Sequence, residues 1–122
     1  MRVRLLGVVA AWALASCGPT PAATPTPDPL VVAGQGVFAA RCAACHALTP
    51  DTVIVGPSLA GIAARAEGRV EGLDGEAYLR QSIAQPSAYV VEGFQNAMPQ
   101  DLAKQLTSDE LDAVVAFLLT QQ

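Results

Sequence analysis

The chain has 122 residues, 52% of them apolar and 15% charged, with a net charge of −4. This composition suits one small globular domain behind an apolar leader and excludes a disordered polyelectrolyte. No basic run or patch is present, which argues against nucleic acid as a partner.

The first segment has the form of an export signal. Arg2 and Arg4 precede Leu5–Ala15, an unbroken apolar run followed by small residues. Those eleven residues would rise only about 16 Å as a helix, short of a roughly 30 Å hydrocarbon core, so cleavage is expected rather than a membrane span. Leu14–Cys17, "LASC", resembles the bacterial lipobox. That resemblance implies removal of residues 1–16 and a diacylglycerol on Cys17. The alternative is an ordinary signal peptide that contains a cysteine. Cys17 stands where the apolar run ends, and Cys42 and Cys45 account for each other, so lipidation is the expectation. Several acyl chains on one residue give stable anchoring where a single chain does not. The chain beyond residue 16 carries five basic against eleven acidic side chains, a net of −6.

Residues 17–27 follow as a tether. Gly18–Pro27 holds four prolines, three threonines and no charge. It favours an extended polyproline form with a reach of about 30 Å.

The domain is expected over residues 28–122, with helical signals and no convincing strand alternation. Asp28-Pro29 is an N-cap followed by proline at the first helical position. The helix it starts runs through Val37 and Phe38 into "CAACH". Gly34 and Gly36 lie inside it, each costing roughly 1 kcal/mol relative to alanine, which a closely crossing backbone would explain. A short helix is expected from Ser58 to Ala66 and another from Asp74 to Gln85, ended by Pro86. The last helix opens with a capping box, Thr107 and Glu110. Leu111, Val114, Val115 and Leu118 then form one apolar face, flanked by Phe117. Long connections in so small a domain invite a buried non-protein group as part of the core.

"CAACH", residues 42–46, is a C-x-x-C-H motif, the attachment signature of c-type haem. Cysteines three apart on a helical turn face one side and can form thioethers with two vinyl groups of one porphyrin edge. His46 is then placed to offer a ring nitrogen to the iron. A structural zinc site wants about four nitrogen or sulfur ligands, and this domain offers two cysteines and one histidine. A thioredoxin-like pair would sit near a βαβ pattern. A plain disulfide is the remaining alternative. The chain has no second histidine, and beyond the leader its only methionine is Met98, in a loop 52 residues after His46. A lone loop methionine is ordinarily a gap-filler; here it is the expected sixth ligand, with Lys104 or an open position as alternatives. His/Met ligation raises the potential relative to bis-His and leaves no iron position for a substrate, so one-electron transfer is the expected chemistry.

With these residues in place the sequence resembles class I, mitochondrial-type cytochromes c over roughly residues 30–120. The resemblance implies an all-α fold of about four short helices around one covalent haem c, with the N- and C-terminal helices crossing. Gly34, Phe38 and Cys42 match the family's first helix, in which the glycine lets the last helix cross, and Phe117 fits the aromatic that packs there. "GPSLAG", residues 56–61, matches the segment after the haem motif. By resemblance, the Pro57 carbonyl accepts a hydrogen bond from His46, Leu59 packs on the porphyrin and Arg65 lies near a propionate. Tyr78 and Tyr89 would wall the pocket or bond a propionate, and Asn96 would bond near the Met98 sulfur. Two features depart from the family: its pocket tryptophan is missing, with Leu73 near that place, and so is the ring of partner-facing lysines. The expectation is a non-enzymatic electron carrier without a small-molecule substrate, lipid-anchored on the periplasmic face of a bacterial cytoplasmic membrane. Its partners would be membrane redox proteins: a quinol-oxidising complex, and a terminal oxidase or reaction centre. The alternative is a gas sensor or haem enzyme with an open sixth position.

Overall fold

A computed structural model describes residues 26–122. The leader, Cys17 and most of the tether lie outside the described residues. In chain order the elements are α1 (Pro29–Arg41), α2 (Ile62–Ala66), α3 (Gly75–Ala84), a 3₁₀ helix (Leu102–Gln105) and α4 (Ser108–Leu118). No strand forms among the described residues; a single antiparallel bridge joins His46 to Val53.

Helix α1 starts as its sequence dictates. Asp28 Oδ1 accepts the Leu30 N–H at 2.8 Å, and Pro29 occupies the first turn, where its missing N–H costs nothing. The helix buries one stripe, Gly34 and Phe38, against α4. At the crossing, a methyl group on Gly34 would overlap the Ala113 carbonyl and lie 2.7 Å from Phe117 Cβ. The crossing thus demands glycine at this position. Phe38 and Phe117 meet there with ring centroids 5.6 Å apart. Gly36 is different: nothing lies within 4 Å of the space its side chain would fill, so the crossing accounts for Gly34 alone.

Helix α4 carries the full capping box. Glu110 donates its N–H to Thr107 Oγ1 at 3.1 Å, and the Glu110 carboxylate accepts the Thr107 N–H at 2.8 Å. That backbone donor, with the Thr107 hydroxyl, holds the Glu110 carboxyl below its usual range. Val114, Val115, Phe117 and Leu118 are buried, with Leu111 at the margin. They form one core with Phe38, Ile62, Tyr78, Leu79, Ile83 and Leu102.

Two elements differ from expectation. Helix α2 begins at Ile62, not Ser58. The Ser58 hydroxyl donates to Thr49 O at 2.7 Å and accepts the Ala60 N–H at 3.2 Å, while Leu59 N–H bonds Ala47 O at 2.8 Å. These bonds hold 58–60 as a strap across the preceding loop, and Gly61, at φ 68°, turns the chain into the helix. The 3₁₀ helix is the second difference. It begins two residues beyond Pro99 and buries Leu102, and its N-cap, Asp101, makes no side-chain capping bond.

Candidate functional site

The end of α1 delivers the cysteines. Cys45 N–H and His46 N–H both bond Cys42 O, at 3.0 and 2.9 Å, so "CAACH" is a turn wound off the helix. Cys42 and Cys45 are half-buried free thiols. Burial, with Cys45 adding, pushes the Cys42 thiol up to about 11. Among the described residues no cluster of three or more His, Cys, Asp or Glu groups can hold a metal.

His46 is fixed by its neighbours. Its Nδ1–H donates to the Pro57 carbonyl at 2.8 Å, which leaves Nε2 with a free lone pair. The ring approaches the chain at Gly56, where an added methyl would stand 2.9 Å from Nδ1 and 3.0 Å from Nε2. Two bonds to Cys45 O, from Val55 at 3.2 Å and Gly56 at 2.9 Å, bring this segment back against the motif.

One cavity of about 540 Å³ gathers these groups, within the roughly 300–1,000 Å³ usual for cofactor sites. Cys42, Cys45, His46, Pro57, Leu59 and Met98 all line it. Helix α3 turns Tyr78, Leu79, Ser82 and Ile83 toward it. The Ser82 Oγ is buried there without a hydrogen-bond partner. Val53 and Val55, with side chains more than half exposed, belong to its rim.

A family model described as "Cytochrome c" matches residues 31–122. The chain belongs to the cytochrome c family. Comparison with curated proteins finds no match. Cytochromes c carry covalent haem c, and Cys42, Cys45 and His46 complete their C-x-x-C-H motif.

The residues fit that group. The cavity is mostly apolar and carries two sulfurs for thioethers, one imidazole nitrogen held free and one thioether sulfur. Gly56 leaves room for the imidazole. The remaining expectations divide. Arg65 and Tyr89 line the cytochrome c cavity, with Tyr89 edge-on to Tyr78 at 5.9 Å. Lys104 stands on the 3₁₀ helix, outside the cavity lining, so it is not placed to replace Met98. Leu73 packs against the core and does not line the cavity.

Two residues of this cytochrome c escaped sequence reasoning. Gly56 was visible only as a glycine beside Pro57. Gln100 holds the Met98 loop: its Nε2 donates to Met98 O at 2.9 Å and to Asn96 Oδ1 at 3.0 Å. The i, i+4 spacing of Asn96 and Gln100 about Met98-Pro99 was the available signal.

Proposed function

We propose that this protein is a lipid-anchored electron carrier that passes single electrons between membrane redox proteins. Cys42 and Cys45 would hold the haem through thioethers, and His46 and Met98 would be the residues that bind its iron. The observation that carries this reading is one cavity lined by both cysteines, by a histidine whose Nδ1 is bonded to Pro57 O, and by the only methionine beyond the leader. Bound haem supplies the Fe(II)/Fe(III) couple. The chain does the rest: it excludes water with an apolar lining, fixes the imidazole tautomer and anchors the Met98 loop through Gln100. A rigid, dry site reorganises little when an electron moves.

The donor is a quinol-oxidising complex and the acceptor a terminal oxidase or reaction centre. The export signal, Cys17 at the lipobox position and the uncharged Pro/Thr tether support the membrane location on which such partners depend. The exposed Val53 and Val55 give the rim an apolar face that another protein's cofactor edge can meet.

Carbon monoxide tests the ligation. The ferrous protein is expected to bind it poorly, because both axial positions are taken; rapid, stoichiometric binding supports the open-site alternative instead. Detergent phase partitioning tests the anchor. Wild type is expected in the detergent phase and Cys17→Ala in the aqueous phase, and identical partitioning would dismiss the anchor.

A further inference from the structure

We propose that the outward face of helix α1 rests on the lipid bilayer, so that the anchored protein lies with this helix along the membrane surface; the inference rests on the lipid-anchor reading above. Helical periodicity sets Pro29, Val32, Ala33, Gly36, Ala39 and Ala40 opposite the stripe of Gly34 and Phe38 that packs on α4. All of them are exposed, Val32 by 53%, and Leu30 beside them by 45%. Gln35 is the only polar side chain of the helix before Arg41, and within the helix no charge precedes Arg41. The other long helices are built in the usual way: α3 exposes Glu76 and Arg80, and α4 exposes Asp109 and Asp112. A helix apolar on both faces is ordinarily covered on both. The fold covers one.

What covers the other is read from where the helix stands in the chain. The tether leads directly into Asp28 and Pro29, so α1 is the first element of the domain after the anchored Cys17. The tether's reach of about 30 Å exceeds the helix's length of about 20 Å, so the anchor lets α1 lie flat. Its 13 residues are too few to cross a hydrocarbon core of roughly 30 Å, and no helix among the described residues is long and apolar enough to do so. A short apolar face lies in the headgroup boundary instead. Charge selects the same face. The chain beyond residue 16 carries a net −6, and an acidic protein approaches a negative membrane surface with least repulsion through a face that bears no carboxylate. None of the residues from Pro29 to Ala40 lines the cavity, so contact through this face leaves the cavity lining to a redox partner.

The experiment measures thiol accessibility in the haem-loaded, lipidated chain on phosphatidylcholine vesicles, with protein so sparse that copies rarely share a vesicle. With Cys17 acylated and Cys42 and Cys45 in thioethers, an added cysteine is the only free thiol. Val32→Cys and Gly36→Cys probe the face. Gln105→Cys, exposed on the 3₁₀ helix and outside the cavity lining, is the control. A water-soluble, membrane-impermeant maleimide is expected to react severalfold more slowly with the two α1 cysteines on vesicles than with the same variants carrying Cys17→Ala in buffer. Its rate with Gln105→Cys is expected to stay unchanged. Adding Gly36→Glu to Val32→Cys should restore the fast rate by placing a charge on the face, and nothing lies within 4 Å of a Cβ added at that position. Detergent partitioning of wild type against Cys17→Ala comes first: identical partitioning would remove the anchor and this proposal with it. With the anchor present, α1 cysteines that react as fast as in buffer would overturn the proposal. So would slowing that appears only on vesicles crowded with protein, which would assign the face to a second copy of the chain.

Discussion

Gly56 leaves the His46 ring the space that any side chain would take. A side chain there would overlap His46 Cε1 and lie 2.9 Å from Nδ1, the nitrogen bonded to the Pro57 carbonyl. Gly56→Ala is accordingly expected to tilt the imidazole and destabilise the loaded protein by about 1–3 kcal/mol, the usual cost of overpacking. Chemical unfolding measures the loss, and a changed ferric spectrum locates it at the iron. An unaltered spectrum with unaltered stability would refute the constraint. At this scale the sequence was legible where chemistry is local. Cys42, Cys45 and His46 declare themselves because thioether attachment fixes their spacing within five residues. Met98 stood out by elimination. Gly56 did not, because it acts on a ring that is remote in the chain, and Gln100 left only its i, i+4 spacing from Asn96 as a signal.

The elements were legible to the degree that their ends carry their own chemistry. Asp28-Pro29 and the Thr107–Glu110 box start α1 and α4 where they should. Helix α2 starts late because Ser58 spends its hydroxyl on Thr49 and Ala60, a tertiary and a turn contact that helical periodicity does not report. The two glycines of α1 separate propensity from packing. Gly36 faces open space, so Gly36→Ala is expected to stabilise the protein by roughly 0.5–1 kcal/mol. Gly34 sits where the backbone of α4 passes, so Gly34→Ala must push the two helices apart and is expected to destabilise by at least about 1–3 kcal/mol. Urea midpoints of the two variants should therefore move in opposite directions. Movement in the same direction would contradict the packing account.

For the whole molecule the decisive feature is a cavity of about 540 Å³ within a domain of some 95 residues. A domain this small buries a modest core, and here the core residues Tyr78, Leu79, Ile83, Leu102 and Leu118 also line the cavity. Haem is thus part of the fold. Replacing Cys42 and Cys45 together by alanine is expected to abolish covalent haem and leave a loosely packed chain. Far-UV circular dichroism would then be partly retained and near-UV signal lost. A sharp cooperative transition at the wild-type temperature in that variant would show that the fold does not need the group. Charge is unevenly shared as well. Arg41, Arg65 and Arg69 line the cavity with Asp51 as its only acidic residue, while the other ten acidic side chains lie elsewhere. The cavity lining is thus less acidic than the rest of an acidic protein, with exposed valines at its rim.

The central claim is that Met98 completes the coordination begun by His46. The most direct measurement is the visible spectrum of the ferric protein, wild type beside Met98→Ala. A weak red band arising from thioether sulfur on ferric iron is predicted in the wild type and predicted to vanish in the variant, while the covalent haem stain remains in both. Absence of the band from the wild type, or its persistence in Met98→Ala, would contradict the account.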